Sequence, residues 1–389
     1  MNWDSYISNT AKQLPPSGIR KIWEMALTMD NVLSLGVGEP DYAPPEKVLD
    51  ACIASLQRKE TGYTSNAGLF ELRTAIRKWY YNRYHVDYTE DEIMLTIGAS
   101  EGIDLSMRVL VDEGDEVLIP DPCYVAYPAE VKLAGGVPVM VPTTLEDGFK
   151  ITPEAIEKAI TPRTKVLLMG YPSNPTGAIL SKEELEKIAA VAIKHDLIVV
   201  SDEIYSELTY GRKHTSIASL PYMKERTVTL NGFSKAYAMT GLRIGFMCAP
   251  KEVIQQALKI HQYSIVAPAT PVQHGAIVAL NECDDAIEAM REEYHARRDL
   301  IVSGFQRMGL PIAVPDGAFY VFPNISQCAD NDMDFAVNLL QSEHVALVPG
   351  SAFGACGRGH IRCSYASSRE TIKEALERIE RFINSTKAK

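Results

Sequence analysis

The stretch "KVLLMGYPSNPTGAILSKEELEKIAAVAIKHDLIVVSDEIYSEL", residues 165–208, holds two short apolar runs separated by an amphipathic segment. The runs VLLM and LIVV carry no polar side chain, as expected of strands buried on both faces. Between them, Ser181 and Glu184 have the spacing of a capping box. Leu185, Ile188, Ala189 and Ala192 then mark one apolar helical face. Strand, helix and strand in this order predict neighbouring strands of a mainly parallel sheet with a helix laid across it.

Working outward, five more runs of the same kind occur: "EIMLTIG", "DEVLIP", "VPVMVP", "TVTLNGFS" and "GLRIGFMCAP". Seven runs alternating with helical patterns predict an α/β fold, a mainly parallel seven-stranded sheet with helices on both faces. After residue 285 the pattern changes to a charged helix, "DDAIEAMREEYHARRDLIVSGFQRM", a hairpin-like "PIAVPDGAFYVFP" and a closing amphipathic helix, "SSRETIKEALERIERFINS". These suggest a large domain over 45–285 and a smaller α+β domain built from 1–44 and 286–389.

Composition removes several classes of function. A net charge of −11 and no cluster of lysine or arginine argue against a nucleic-acid or membrane-surface partner. The seven cysteines are scattered and never spaced as C-x-x-C, so neither a disulfide framework nor a zinc site is expected; metal: none. No basic-then-apolar leader opens the chain and no run of about 18 apolar residues occurs, which places the expected location in the cytoplasm. No strand is followed by G-x-G-x-x-G, against dinucleotide binding. Nothing resembling a helix-turn-helix precedes the core, against a DNA-binding fusion.

Chemistry-bearing residues gather where strands end, the place at which open α/β sheets hold ligands. Gly98, Ala99 and Ser100 follow "LTI" and open a helix; Ser100 either caps it or offers a hydroxyl to an anion. Asn174 sits between two prolines, as an Asx-turn residue or as a rigid donor. Asp202 directly follows LIVV, so it either caps the next turn or lies buried against a cation. Lys235, in "NGFSKAYAMTGLRIGF", is flanked by apolar and small residues. Such a lysine either snorkels or, desolvated, becomes a neutral nucleophile.

Taken together, "SLGVGEPD", "GASEGID", "YPSNPTG", "SDEIYSEL", "SKAYAMTGLRIGF" and "HIRCSYA" resemble the motif series of class I aminotransferases of the aspartate and aromatic amino-acid type, pyridoxal-phosphate enzymes of fold type I. The resemblance runs from about Gly36 to Arg362. It implies pyridoxal 5'-phosphate as cofactor, with Lys235 bonded to its aldehyde carbon and later moving the proton from the substrate Cα. It implies Asp202 at the pyridinium nitrogen, and Tyr205 and Asn174 at the phenolic oxygen. Ala99, Ser100, Ser234 and Arg243 would hold the phosphate, and Tyr124 would stack on the ring where many relatives carry Trp. Gly232 stands where some relatives carry a phosphate-binding serine. Tyr63 would reach the neighbouring subunit's phosphate, which implies a homodimer. Arg362 would clamp the substrate α-carboxylate, with Gly38, Tyr124 and Asn174 alongside. The implied reaction moves the amino group of an amino acid to a 2-oxo acid such as 2-oxoglutarate in ping-pong fashion. An acyl-diaminopimelate aminotransferase and a C–S β-lyase are the alternatives. The stretch "PPSGIRKIW", with Ile19 and Trp23, is a candidate lid.

Overall fold

A computed structural model describes residues 1–14 and 18–387 of the chain. Its centre is a seven-stranded sheet of Ile93–Thr96 (β1), Glu116–Asp121 (β2), Val137–Pro142 (β3), Thr164–Gly170 (β4), Ile198–Asp202 (β5), Thr227–Gly232 (β6) and Gly245–Cys248 (β7). The spatial order is β1-β7-β6-β5-β4-β2-β3. β7 runs antiparallel to both neighbours and every other pairing is parallel. That single reversal matters for the site. It brings the start of β7 beside the ends of β1 and β6, pairing Gly245 with both Thr96 and Gly232.

β1, β2, β6 and β7 are buried along their whole length, as the unbroken apolar runs require. Alternate residues pack to opposite faces. In β2, Leu118 joins one core layer with Leu167, Val199 and the face Leu185, Ile188, Ala192 of the helix α2, Lys182–Lys194. Val117 and Ile119 join the other layer, with Leu105 and Met107 of the helix α1, Gly98–Leu110. Edge strand β3 is only partly buried. Another apolar cluster combines Ile22, Leu35, Tyr205, Leu208 and Tyr210 with residues between Met290 and Ile383, packed around Tyr320–Val321 (β8), Val345–Ala346 (β9), Ile361–Ser364 (β10) and the closing helix Arg369–Lys387.

One local reading needs correction. The stretch 311–323 forms no hairpin: only β8 is a strand, and it pairs with β10 through Tyr320–Ser364 and Val321–Cys363. Pro311 and Pro315 have no N–H to donate to a ladder, and Ala318 takes a positive φ of 55°. Tyr205 lies on a turn, where Ser206 N–H donates to Glu203 O and Leu208 N–H to Tyr205 O before the chain bridges Gly317.

The capping box of α2 forms as expected: Glu184 N–H donates to Ser181 Oγ at 3.2 Å, and Ser181 N–H to Glu184 Oε2 at 2.7 Å. Ser181→Ala removes one of these bonds far from any ligand, at a cost of about 1 kcal/mol. In differential scanning fluorimetry the variant should melt ~1–2 °C lower, with unchanged turnover.

Candidate active site

The ends of β1, β4, β5 and β6 open onto one cavity of about 530 Å³. Eleven of the twelve residues to which the resemblance gives a catalytic, cofactor or substrate role line it, among them Lys235, Asp202, Asn174, Arg243 and Arg362. The exception is Tyr63, which lies 88% exposed and outside it.

Asp202, the last residue of β5, is buried, and burial pushes its carboxyl up to about 6. Two neutral donors oppose that rise: Tyr127 OH at 2.8 Å on Oδ2, and Ile204 N–H at 3.1 Å on Oδ1. Asp202 thus makes the turn contact considered from sequence, and its other oxygen is committed to a side chain. The Tyr127 hydroxyl reaches it across Gly170, where a Cβ would lie 2.1 Å from that oxygen. Gly170 is paired with Asp202 across β4 and β5, so its missing side chain opens the space the tyrosine uses.

Lys235 follows β6 and donates to Gly38 O at 2.6 Å. Its ammonium is depressed to about 8, chiefly by burial. Arg362 and Arg243 push it the same way, while Glu39 and Asp202 resist. A lysine in this condition has an appreciable neutral fraction near physiological pH, as a nucleophile needs.

Arg362, on β10, is 3% exposed. One terminal nitrogen donates to Asn174 Oδ1 at 3.0 Å and the other to Gly36 O at 2.6 Å. Its guanidinium carbon stands 4.6 Å from the Tyr320 ring centroid and 5.0 Å from that of Phe353. Nε is buried without an acceptor, so the site has unused donor capacity for an anion. Because Asn174 accepts from Arg362 through Oδ1, its amide nitrogen is left to donate elsewhere.

At the other end, Ser100 lies within the first turn of α1 and is not its cap; Ile97 is, and its N–H donates to Glu101 Oε2 at 2.5 Å. The early N–H groups of α1 lack helical acceptors by geometry. Arg243 lies beside them, with a positive φ of 53° and an Nη1 bond to Thr240 O at 2.9 Å. A Cβ at Gly98 would come 2.7 Å from the Arg243 guanidinium. At Gly232, a Cβ would come 2.9 Å from Gly245 Cα, so a serine there would require the strands to part. The first turn of α1, Ser100, Ser234 and Arg243 thus line this end of the cavity with hydrogen-bond donors. Its chemistry fits a phosphate, and the carboxylate of Asp202 fits a cationic ring nitrogen.

Sequence reasoning missed Tyr127, Tyr320 and Glu39. Tyr127 follows Tyr124 by three residues, spacing that puts two tyrosines on one side of a helical turn. Tyr320 shares a 2.7 Å hydroxyl contact with Tyr205, and a Cβ on Gly38 would lie 2.8 Å from its oxygen. Glu39 accepts from Thr240 Oγ1 at 3.2 Å. Of the lid stretch, Pro15 to Ser17 and the side chain of Ile19 lie outside the described residues. Trp23, 48% exposed, lines the cavity.

An open α/β sheet whose strand ends surround a desolvated lysine and a buried carboxylate, with an arginine anchored at both terminal nitrogens beside them, is a setting suited to amino-group transfer. A family model described as "Aminotransferase class I and II" matches residues 30–379, and the chain belongs to that family. The chain is 49% identical to the putative aminotransferase YugH of Bacillus subtilis, over 98% of its own length and 99% of the relative's. It is 40% identical to aromatic-amino-acid aminotransferase 2 of Thermococcus litoralis, over 98% and 99%. The structure of Thermus thermophilus aspartate aminotransferase with maleate superposes with a TM-score of 0.93 at 39% identity, covering 97% of this chain and 99% of that one. The fold is that of the pyridoxal-phosphate-dependent transferases of fold type I, and the protein is an aminotransferase.

The buried ammonium has a measurable cost. Because folding lowers the Lys235 pKa from 10.5 to about 8, the folded state binds that proton less tightly than the unfolded one. The penalty is full below pH 8 and fades as pH rises towards 10.5. In cofactor-free protein, Lys235→Met should therefore be more stable than wild type at pH 7, by on the order of 2 kcal/mol. Urea midpoints at pH 7 and pH 10 would check it, with the gap narrowing at the higher pH.

Proposed function

We propose that this aminotransferase uses pyridoxal 5'-phosphate and moves the α-amino group of an aspartate-type or aromatic amino acid to a 2-oxo acid such as 2-oxoglutarate. The observation that carries the reading is the meeting of a lysine depressed to about 8, a buried carboxylate and a doubly anchored arginine in one cavity.

When bound, the cofactor supplies the electron sink for the charge that develops at the substrate Cα. The chain's own residues do the rest. Lys235 would hold the cofactor at its aldehyde carbon, and its neutral amine would take the proton from the substrate Cα. Asp202, oriented by Tyr127 and Ile204, holds positive charge at the ring nitrogen. Tyr205 and the free amide nitrogen of Asn174 donate to the phenolic oxygen. Ala99, Ser100, Ser234 and Arg243 hold the phosphate, Tyr124 covers the ring face, and Arg362 binds the α-carboxylate next to Gly38. The exposure of Tyr63 supports a role on a neighbouring subunit and hence a homodimer with shared sites. The sheet layers and the cluster around β8 and β10 support domains of 45–285 and of 1–44 with 286–389 that pack into one another, with Tyr205, Leu208 and Tyr210 entering the second cluster and Phe322 and Phe353 a sheet layer. No described helix is long and apolar enough to cross a membrane, and the acidic composition suits a cytoplasmic enzyme.

An amino-donor panel with 2-oxoglutarate tests the reading. Transfer should require both substrates; pyruvate released from a cysteine-type donor without an oxo acid would instead mean a β-lyase. Lys235→Ala should abolish turnover and the visible band of the lysine-linked cofactor, while the phosphate contacts retain some cofactor.

Arg362→Lys keeps the charge but loses the planar fork. It should lower kcat/KM by about 2–4 kcal/mol for every donor and acceptor, since all present an α-carboxylate. Stopped-flow half-reactions with one acidic and one aromatic donor would check this. A loss confined to the acidic donor would mean that Arg362 reads the side chain.

A further inference from the structure

Asp121 ends β2 as a carboxylate only 3% exposed, outside the cavity and without a cationic partner in its hydrogen-bond set. Its oxygens accept from two backbone N–H groups, Ala355 at 3.1 Å and Cys356 at 3.3 Å. The loop that supplies them turns at Gly354, whose φ of 135° belongs to glycine. A Cβ there would lie 1.9 Å from Asp121 Oδ1, so the carboxylate sits directly against the bare Cα. Two residues along, Cys123 N–H donates to Phe353 O at 3.0 Å. The segment 121–123 thus grips the backbone of 353–356 at three amides, and Phe353, 2% exposed, is the residue whose ring faces the Arg362 guanidinium at 5.0 Å.

We infer that Asp121 is a positioning residue for substrate carboxylate binding: by fixing residues 353–356 it holds the Phe353 ring against Arg362 and so sets the guanidinium between Phe353 and Tyr320. The inference rests on the reading of Arg362 as the carboxylate clamp. A ring face can orient a guanidinium without consuming any of its N–H donors, which stay available for Asn174, Gly36 and substrate. The same short segment leads into Tyr124, so one strand end supplies both the cofactor-facing ring and the brace behind the arginine.

An effect on carboxylate binding that is equal in ground and transition state appears in KM and leaves kcat alone. The test compares holoenzyme carrying Asp121→Ala, Asp121→Asn and Phe353→Leu with wild type. The probes are 2-oxoglutarate and α-methylphenylalanine, a donor with no α-proton to lose. Asp121→Ala should raise KM for the oxo acid and Kd for the α-methyl donor about tenfold, with kcat within about twofold and the cofactor's visible band unchanged. Asn keeps a carbonyl acceptor for both amides and should restore binding to within about threefold of wild type. Hydrogen exchange at Ala355 and Cys356 should quicken in the Ala variant. Unchanged KM and Kd, or a fall in kcat with Kd unaltered, would overturn the inference. Should Asp121→Ala fail to fold, Phe353→Leu decides: a several-fold rise in Kd supports the brace, and wild-type binding overturns it. A wild-type protein that neither transfers amino groups nor binds the α-methyl donor would instead sink the enzyme reading itself, together with the role given to Arg362.

Discussion

The site depends on keeping charged groups out of water while leaving them only partly neutralised by one another. Asp202 is pushed up to about 6 and Lys235 down to about 8, and in both cases burial is the largest cause. Each shift is free energy held against the charged form, which a ligand of opposite charge would recover. The fold sustains this because the surrounding secondary structure is rigid and satisfied. Asp202 stands at the end of a strand hydrogen-bonded on both sides, and Lys235 follows the next strand in the sheet. Asp202 cannot turn towards solvent without giving up its bonds from Tyr127 and Ile204.

The one antiparallel strand extends the same logic to the Arg243 end of the cavity. Were β7 parallel, Arg243 would lie at the opposite edge of the sheet from the end of β6. Reversed, β7 starts where β1 and β6 finish, and glycines at 98, 232 and 245 permit the close approach. A Cβ on Gly245 would meet Gly98 C at 2.7 Å and Ala99 N at 2.8 Å. The first turn of α1 can therefore lie against the sheet, with its unpaired N–H groups beside Arg243.

What the sequence made legible follows from this arrangement. Buried parallel strands read as apolar runs, and the residues after them are the ones a ligand meets, so 165–208 disclosed the fold class, Asn174 and Asp202 together. The lysine stood out because its neighbours are apolar and small. Tyr127 was not legible: its role depends on a space opened by Gly170, about forty residues away in sequence, and a tyrosine in a helical turn looks like packing. Tyr320 was hidden for a related reason. The stretch around it looked like a hairpin, whereas its partner strand is Ile361–Ser364, set by a pairing across the chain that local pattern does not encode. Tyr63 was legible only through resemblance, since nothing within a single chain gives it a partner in the cavity.

Arg362 shows most clearly how distant segments converge on one atom group. It is held by Asn174 from the turn after β4 and by the carbonyl of Gly36 near the N-terminal end, and it is faced by rings from β8 and from the loop at 353. None of these contacts is local in sequence except the last. A guanidinium has five donors in a fixed plane, so two anchors and two ring faces leave it little freedom to turn, and its buried Nε has no acceptor among the described residues. These contacts require the turn after β4, the segment around Gly36 and the C-terminal segment to be assembled together. The geometry of binding is thereby tied to completion of the fold, and residues such as Asp121 that touch no ligand can still govern how one is held.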